Sequence, residues 1–213
     1  MQIFAVSATP IEGIATLGVT HIHYYPCPTF SKIPDFFIVT SKHSFEALRS
    51  SRYPWHEFSF ITVGEKLAAL LSQAGAKVVY ASPHANGASL SYEIGQKFDK
   101  SKSFIYLRGE EVAYDVGHYL RQEGYEVEEY RLYETICSDN KIDLPSEAIF
   151  LFGAPSSVKC FYHLYGWQNG WKAIALGATT AKACPSVMDI QIAPQPSFQS
   201  AYELACQRQN SAK

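Results

Sequence analysis

The stretch that decides the fold reads Ile149-Phe150-Leu151-Phe152-Gly153-Ala154-Pro155-Ser156-Ser157, and its pattern returns as Ala173-Ile174-Ala175-Leu176-Gly177-Ala178-Thr179-Thr180. Each copy is a short apolar run followed by a turn of small residues and then by helix-forming residues, which is typical of a β–α unit. Small hydroxyl side chains at a helix start cap free backbone N–H groups, and the same N–H groups can hold an anion. The pattern therefore predicts parallel β–α units with potential anion sites, and plain helix capping is the simpler alternative.

Length and composition bound the class of protein. The chain has 213 residues, of which 47% are hydrophobic and 18% charged, so we expect a folded chain with one large domain or two small ones. No apolar run reaches the roughly 18 residues that span a bilayer, and the first residues lack the basic segment of a signal peptide. The formal charge of −2 argues against a protein that coats nucleic acid. These observations predict a cytoplasmic protein without membrane or nucleic-acid partners.

The cysteines predict no disulfide framework and no metal site. The five cysteines are Cys27, Cys137, Cys160, Cys184 and Cys206. Their number is odd and no two are close in sequence, so reduced thiols are the expectation. His21 and His23 would share one face of a strand, but no Cys or carboxylate near them completes the three or four ligands that zinc needs.

Along the chain, apolar strands alternate with helical patterns, which predicts a mainly parallel sheet covered by helices. Two of the predicted helices are a short one over residues 11–17 and one that opens at residues 108–111 with acidic residues in its first turn. The Pro26-Cys27-Pro28 break and the polar residues 134–146 are candidate linkers.

An internal repeat suggests two halves of similar construction. Thr40 and Gly64 lie 24 positions apart, as do Gly153 and Gly177, and the strands before these turns align without a gap. Ligands of open parallel sheets bind beyond the carboxyl ends of the strands. Two such halves facing each other would line one cleft with polar turns from both.

The turns carry hydroxyl groups and cations rather than a known nucleotide or hydrolase motif. No G-x-G-x-x-G, P-loop or G-x-S-x-G pattern occurs. The candidate hydroxyls are Thr40, Ser41, Ser44, Ser82, Ser156, Ser157, Thr179, Thr180 and Ser197, and the nearby cations are Lys42, Lys66, Arg108, Lys159 and Lys182. Such a set suits a small molecule with several dispersed negative charges, held at several helix N-termini. For each lysine alone, a solvated rim is the simpler alternative.

Several runs in order resemble the uroporphyrinogen-III synthase family. They are Val63-Gly64-Glu65-Lys66, Ala85-Asn86-Gly87, Tyr106-Leu107-Arg108-Gly109-Glu110, Leu132-Tyr133-Glu134-Thr135, Ala154-Pro155-Ser156-Ser157-Val158, Ala175-Leu176-Gly177-Ala178-Thr179-Thr180-Ala181 and Pro196-Ser197-Phe198. No single run is specific, but together they cover nearly the whole chain from Asp35 onward.

This resemblance implies an architecture of two similar flavodoxin-like, parallel-sheet α/β domains. A two-stranded linker joins them, and the ligand cleft lies between them. Residues 1–28 and 135–213 form a discontinuous first domain, residues 31–132 form the second, and the linkers lie near 28–31 and 132–135. The candidate linkers found from composition fall at the same places. The resemblance also implies a monomer that uses no metal or organic cofactor.

The implied reaction is the cyclisation of hydroxymethylbilane to uroporphyrinogen III, with loss of water and inversion of ring D. The resemblance makes Tyr133 the candidate acid, because a tyrosine hydroxyl is protonated at neutral pH and can donate to the leaving oxygen. Packing in a linker strand is the alternative role for Tyr133. The implied substrate-binding residues are Thr40, Ser41, Gly64, Asn86, Gly87, Arg108, Gly109, Ser156, Ser157, Gly177, Thr179, Thr180 and Ser197.

Two departures from the family pattern stand out, and other functions stay open. Leu67 replaces a hydroxyl residue, and His43 stands where Asn is usual. A two-lobed binding module that clamps an anionic metabolite or tetrapyrrole without turning it over is the main alternative. A flavodoxin-like redox domain is a further one.

Overall fold

The structure, a computed structural model, describes residues 1–211 and the side chains of residues 1–209. It divides into two compact units, Met1–Ile22 together with the residues from Thr135 onward, and His23–Glu134. The strands are β1 Gln2–Val6, β2 Ala15–Leu17, β3 Thr20–Tyr24, β4 Phe36–Val39, β5 Ser59–Val63, β6 Lys77–Ser82, β7 Ser103–Gly109, β8 Glu126–Cys137, β9 Ala148–Phe152, β10 Trp171–Ala175 and β11 Ile190–Ile192. The helices are α1 Lys42–Arg49, α2 Gly64–Gln73, α3 Gly87–Lys97, α4 Val116–Gln122, α5 Pro155–Tyr165, α6 Ala178–Lys182 and α7 Phe198–Ser211. The expectation of an α/β fold with parallel sheets is confirmed.

The first unit is built on a parallel five-stranded sheet in the order β11-β10-β9-β1-β2. Its central strand β9 is buried along its whole length, as expected for a parallel strand covered on both faces. Phe150 packs on one face against Phe161 and Trp171. Ile149 packs on the other face with residues of α7. The continuous apolar run that opened the sequence is therefore a core strand.

The second unit contains a six-stranded sheet in the order β3-β8-β7-β4-β5-β6. The strands from β4 to β8 pair in parallel, so their carboxyl ends meet at one edge. Alternate residues of β4 pack on opposite faces of the sheet: Phe37 belongs to one hydrophobic cluster and Ile38 to the other. Helices cover both faces, which leaves the turns after the strands free to form a site.

The repeat seen in the sequence corresponds to matching strand registers. Phe36 of β4 pairs with Ser59 of β5, and Ala148 of β9 pairs with Trp171 of β10, each 23 positions further along the chain. In each unit a strand, a helix, a parallel neighbouring strand and a second helix follow in the same order. The registers are equal because the two connections between the strands, residues 40–58 and 153–170, have nearly the same length, although their helices differ.

Two of the predicted helices are wrong. Residues 11–17 form no helix: Gly13 turns the chain with φ of 74°, Ile11 and Ile14 bridge, and β2 then pairs with β1. Residues 108–111 do not open a helix either, because β7 runs on to Gly109. Helix α4 begins only at Val116, after an Asp115 cap that accepts a hydrogen bond from the His118 N–H at 2.8 Å. The polar break begins after Cys137 rather than at residue 134, because β8 continues to that cysteine.

The expectation of five reduced thiols is also wrong. Cys137 at the end of β8 and Cys160 on α5 form a disulfide with 5.1 Å between their Cα atoms. The other cysteines of residues 1–211, Cys27, Cys184 and Cys206, are free and half-buried. Sequence spacing gave no sign of this pair, because its partners meet only through the packing of α5 beside the first unit's sheet. No helix within residues 1–211 is long and apolar enough to cross a membrane.

Candidate active site

A cavity of about 450 Å³ opens at the carboxyl ends of the parallel strands of the second unit. Its wall comes from the ends of four neighbouring strands and the turns that follow them, and from Tyr133 of β8. The lining residues are Thr40, Ser41, Val63, Ala85, Asn86, Gly87, Ala88, Tyr106, Gly109, Glu111, Val112, Ala113, Tyr114 and Tyr133. A cavity of this size and position is where open parallel sheets bind small molecules.

Tyr133 lies in this wall and rests on the backbone of Gly109. The two residues pair in the parallel ladder of β7 and β8, and the Glu110 N–H donates to the Tyr133 carbonyl at 2.8 Å. A Cβ on residue 109 would lie 2.7 Å from Tyr133 Cζ and 3.0 Å from its Oη. Because carbon atoms normally approach no closer than about 3.5 Å, only glycine permits this ring position. Gly109 therefore contributes space rather than a functional group.

Tyr106 is a residue of the cavity wall that the sequence reasoning did not select. Its hydroxyl lies 3.0 Å from Thr40 Oγ1, and the residue is almost fully buried. Burial raises the pKa of Tyr106, and the Thr40 hydrogen bond and the Arg108 charge oppose part of that rise. Its position at the end of a parallel strand, two residues before Arg108, is the signal that identifies it. Tyr114, from the loop before α4, is a second aromatic residue of the wall that was missed.

The predicted polar residues of this unit lie at helix starts around the cavity. Ser41 caps α1 and accepts a hydrogen bond from the His43 N–H at 3.2 Å, and Asn86 caps α3 and accepts from the Ser89 N–H at 2.8 Å. Gly64 opens α2 with φ of 64°, a conformation that favours glycine. A Cβ at Gly87 would lie 3.0 Å from Val116 Cγ2. Of the predicted substrate-binding residues, the structure thus brings Thr40, Ser41, Asn86, Gly87 and Gly109 together around one cavity of the second unit.

Arg108 has a different environment from the one predicted for a substrate contact. Its guanidinium donates to Glu129 at 3.1 Å and to the Glu110 carbonyl at 3.1 Å, and only 13% of its side chain is exposed. Arg121 contacts the same Glu129 carboxylate at 2.6 Å. This ion-pair group ties β7 to β8 and α4, and Arg108 is not among the residues that line the cavity.

A second cavity of about 620 Å³ lies beside the first, at the starts of α1 and α2. Lys42 and Lys66 line it together with Gly64, and Thr40 and Ser41 are shared with the first cavity. Leu67, the departure from the family pattern, lies in its wall. Two cations and two helix N-termini give this cavity a preference for negative charge, in spite of Glu65 at its rim.

The remaining predicted residues lie in the first unit, at the carboxyl edge of its own sheet. They are Ser156, Ser157, Gly177, Thr179, Thr180 and Ser197, in the segments that follow β9, β10 and β11. Ser157 and Thr180 are buried, whereas Thr179 and Ser197 are exposed. Ser197 accepts a hydrogen bond from the Ser200 N–H at 3.2 Å, which is a capping contact for α7. The His21 and His23 region gives no metal cluster, and within the described residues no group of three His, Cys, Asp or Glu side chains is arranged to hold a metal.

These features define a class: an α/β protein with polar turns at the carboxyl ends of parallel strands, suited to an anionic small molecule. Comparison with known families makes the assignment specific. The family model of uroporphyrinogen-III synthase HemD matches residues 28–203, and the chain belongs to this family. The family's reaction is the cyclisation of hydroxymethylbilane to uroporphyrinogen III in haem biosynthesis, and this chain is an enzyme of that reaction.

Solved structures agree on the fold. The uroporphyrinogen-III synthetase of Helicobacter pylori superposes with a TM-score of 0.81 at 24% sequence identity, over 97% of this chain and 98% of that one. A mutant uroporphyrinogen III synthase of the extremely thermophilic bacterium Thermus thermophilus superposes with a TM-score of 0.56 at 14% identity, over 97% of this chain and 99% of that one. No curated protein sequence matches the chain.

Proposed function

We propose that Tyr133 donates the proton with which the hydroxyl of hydroxymethylbilane departs as water. The observation that carries this role is the position of its phenol, in the wall of the 450 Å³ cavity and against the backbone of Gly109. A ring that is fixed by backbone on one side can hold its hydroxyl at one place, which is what proton donation to a bound leaving group requires. Tyr106 also reaches this cavity, but its hydroxyl already pairs with Thr40.

In the proposed reaction a pyrrole nitrogen lone pair expels the hydroxyl, which takes the Tyr133 proton and leaves as water. The C–O bond breaks and a cationic azafulvenium forms, whose nitrogen keeps its hydrogen. The substituted α-carbon of ring D attacks it and gives a spiro intermediate, whose opening and recombination leave ring D inverted. Loss of one proton from ring D restores the pyrrole, and this proton replaces the one that Tyr133 gave up. Because the substrate also closes spontaneously to the type I isomer, the protein's main contribution is to hold the conformer that leads to inversion.

The substrate carboxylates are bound, in this proposal, by backbone N–H groups and cations at the helix starts. In the second unit the binding residues are Thr40, Ser41, Gly64, Asn86 and Gly87, with Lys42 and Lys66 at the neighbouring cavity. Gly109 provides the space that the Tyr133 ring occupies. The turns with Ser156, Ser157, Gly177, Thr179, Thr180 and Ser197 take the remaining carboxylates. Each helix start contributes about 0.3–1 kcal/mol to binding a negative charge. Arg108 acts indirectly, because its ion pair with Glu129 holds the strands that present Gly109 and Tyr133.

The finer architecture is part of the same proposal. We infer two flavodoxin-like domains, residues 1–28 with 135–213 and residues 31–132, joined by linkers near 28–31 and 132–135 with the substrate cleft between them. The division of the structure after Ile22 and after Glu134 supports these boundaries, and so does the repeated strand register. We further propose that the enzyme needs no cofactor, since the reaction requires no redox step, and that it is a cytoplasmic monomer.

The test is the steady-state rate of type III formation by Tyr133→Phe. We expect kcat to fall about 100-fold, the lower end of the range for general acid catalysis, because the leaving hydroxyl also departs slowly without help. Tyr130→Phe is the matched control: it lies on the same strand, and its hydroxyl donates to Glu128 at 2.8 Å outside the cavity. A Tyr133→Phe enzyme with the same kcat as the Tyr130→Phe enzyme would refute the acid role. Tight substrate binding by the wild type with only the type I product would favour the binding-module alternative.

A further inference from the structure

Three polar side chains form a hydrogen-bonded group beside Tyr133 that the proposed mechanism does not use. The Tyr24 hydroxyl donates to Glu46 Oε2 at 2.7 Å and lies 2.9 Å from His43 Nδ1. His43 Nδ1 lies 3.2 Å from the same Glu46 oxygen. Tyr24 belongs to β3, whereas His43 and Glu46 lie one turn apart on α1. The group therefore ties the first turn of α1 to the strand next to β8.

The proton count of this group fixes the tautomer of His43. The Tyr24 hydroxyl has one hydrogen, which it donates in the hydrogen bond to Glu46. His43 Nδ1 must then carry a hydrogen, because a lone pair there would face two acceptor oxygens within 3.2 Å. The Nδ1–H is thus shared between Tyr24 Oη and Glu46 Oε2, and Nε2 is the free nitrogen of the neutral ring. A carboxylate that orients one imidazole nitrogen in this way is a common means of fixing a functional histidine.

Burial of the His43 ring favours its neutral form. Burial lowers the pKa of His43, the Lys42 ammonium lowers it further, and the Glu46 carboxylate opposes part of the shift. For Glu46, burial alone would raise the pKa, but the hydrogen bond from Tyr24 and the charge and hydrogen bond of His43 lower it overall. The groups that face the imidazole are therefore Lys42 and Glu46 on α1, Tyr24 on β3 and Tyr133 on β8. Only 20% of the His43 side chain is exposed.

The imidazole makes a direct ring contact with Tyr133. The two ring centroids are 5.4 Å apart and the planes are tilted by 54°. Tyr133 thus touches the Gly109 backbone and the His43 ring, and the orientation of His43 depends in turn on Tyr24 and Glu46. If His43 served only to stabilise α1, its ring would not need to contact Tyr133 on β8.

We propose that His43, oriented by Tyr24 and Glu46, is a positioning residue that holds the Tyr133 phenol where it can protonate the leaving hydroxyl. This inference rests on the proposed acid role of Tyr133. In this chain the ring contact of His43 with Tyr133 and the hydrogen bonds of His43 with Tyr24 and Glu46 act together, and we expect both to be needed for the position of the phenol.

The experiment is a double-mutant cycle on the rate of type III formation with Tyr24→Phe and Tyr133→Phe. Tyr24 is 41% exposed, so removal of its hydroxyl leaves the fold intact, which circular dichroism and a thermal melt verify. We expect Tyr24→Phe to lower kcat roughly tenfold with KM changed less than about twofold, because a small misplacement of a reacting group has a large effect on rate. In the Tyr133→Phe background the same change should alter kcat less than about twofold, since the phenol that it positions is gone. Tyr92→Phe, at a tyrosine that is 61% exposed, is the control and should have no effect in either background.

Two further variants separate the ring contact from the hydrogen bonds. His43→Phe keeps a ring against Tyr133 and loses the Nδ1–H, whereas His43→Asn keeps an N–H donor and loses the ring. Each should lower kcat at least as much as Tyr24→Phe, and each effect should vanish in the Tyr133→Phe background. Equal losses in both backgrounds would overturn the positioning role and leave the acid role of Tyr133 standing. A Tyr133→Phe enzyme with wild-type kcat would overturn both.

Discussion

Gly109→Ala tests the position of Tyr133, because we expect it to lower the reaction rate strongly while it changes the stability of the fold only slightly. The added Cβ would lie 2.7 Å from Tyr133 Cζ and 3.0 Å from its Cε2 and Oη. An ordinary carbon contact needs about 3.5 Å, so the ring must move by roughly 0.8 Å. The atoms that must move are at the end of a side chain rather than in the backbone. We therefore expect the free energy of unfolding to fall by only about 1 kcal/mol, the low end for overpacking.

The rate should respond much more strongly than the stability. A displacement approaching 1 Å at a reacting group lowers rates by up to about 100-fold, so we expect kcat for type III formation to fall between about 10- and 100-fold. The assay is separation of the porphyrin isomers formed from fresh hydroxymethylbilane, beside urea unfolding of the same preparations. Gly95→Ala is the matched control, because it lies within α3 and its Cβ would meet no atom within 4 Å. A Gly109→Ala enzyme that is as active as the Gly95→Ala enzyme would refute the claim that this contact positions the acid.

Three further predictions concern stability. Reduction of the Cys137–Cys160 disulfide, which spans 23 positions, should lower the free energy of unfolding by about 3 kcal/mol. A double variant with Cys137→Ser and Cys160→Ser should be less stable by the same amount, and its stability should not change when reductant is added. Gly117→Ala should lower the free energy of unfolding by roughly 3 kcal/mol, although alanine favours helices. The added Cβ would lie 2.0 Å from Glu129 Oε1 and would break the contacts of that carboxylate with Arg108 and Arg121. Urea unfolding that shows a stabilised variant would contradict this prediction. Because the pKa of His43 is lowered in the folded protein, the unfolded chain binds a proton at this residue at a higher pH than the folded protein does. The free energy of unfolding should therefore decline as pH falls below about 6.5, and urea unfolding across that range should show a flatter decline for His43→Asn.

The sequence contained most of the fold because the buried parallel strands are continuous apolar runs with turn residues at both ends. The run at residues 149–152 became the fully buried β9, and the 24-residue repeat became two pairs of strands with equal register. The errors arose where local pattern and tertiary pairing disagree. Residues 15–17 carry a weak helical pattern but add to β1 as an edge strand. The acidic residues after Gly109 resemble a first helical turn but lie in a loop.

The candidate site was predictable only as far as the residue types at strand ends. Thr40, Ser41, Asn86, Gly87, Gly109 and Tyr133 follow from turn chemistry and family resemblance, and the structure gathers them around one cavity. The partner of each side chain did not follow. Arg108 looked like a cation for the substrate, whereas Glu129 on the next strand takes its charge. The contacts of Tyr24 with His43 and Glu46 join residues about 20 positions apart, so only the fold reveals them.

The central claim is that this chain directs closure of hydroxymethylbilane through a fixed Tyr133. The most direct measurement is the ratio of type III to type I product formed by the wild type and by Tyr133→Phe from the same freshly generated substrate. We predict nearly pure type III isomer from the wild type and a mixture dominated by type I from the variant, because spontaneous closure overtakes a slowed enzyme. Type III product in equal proportion from both proteins would contradict the account.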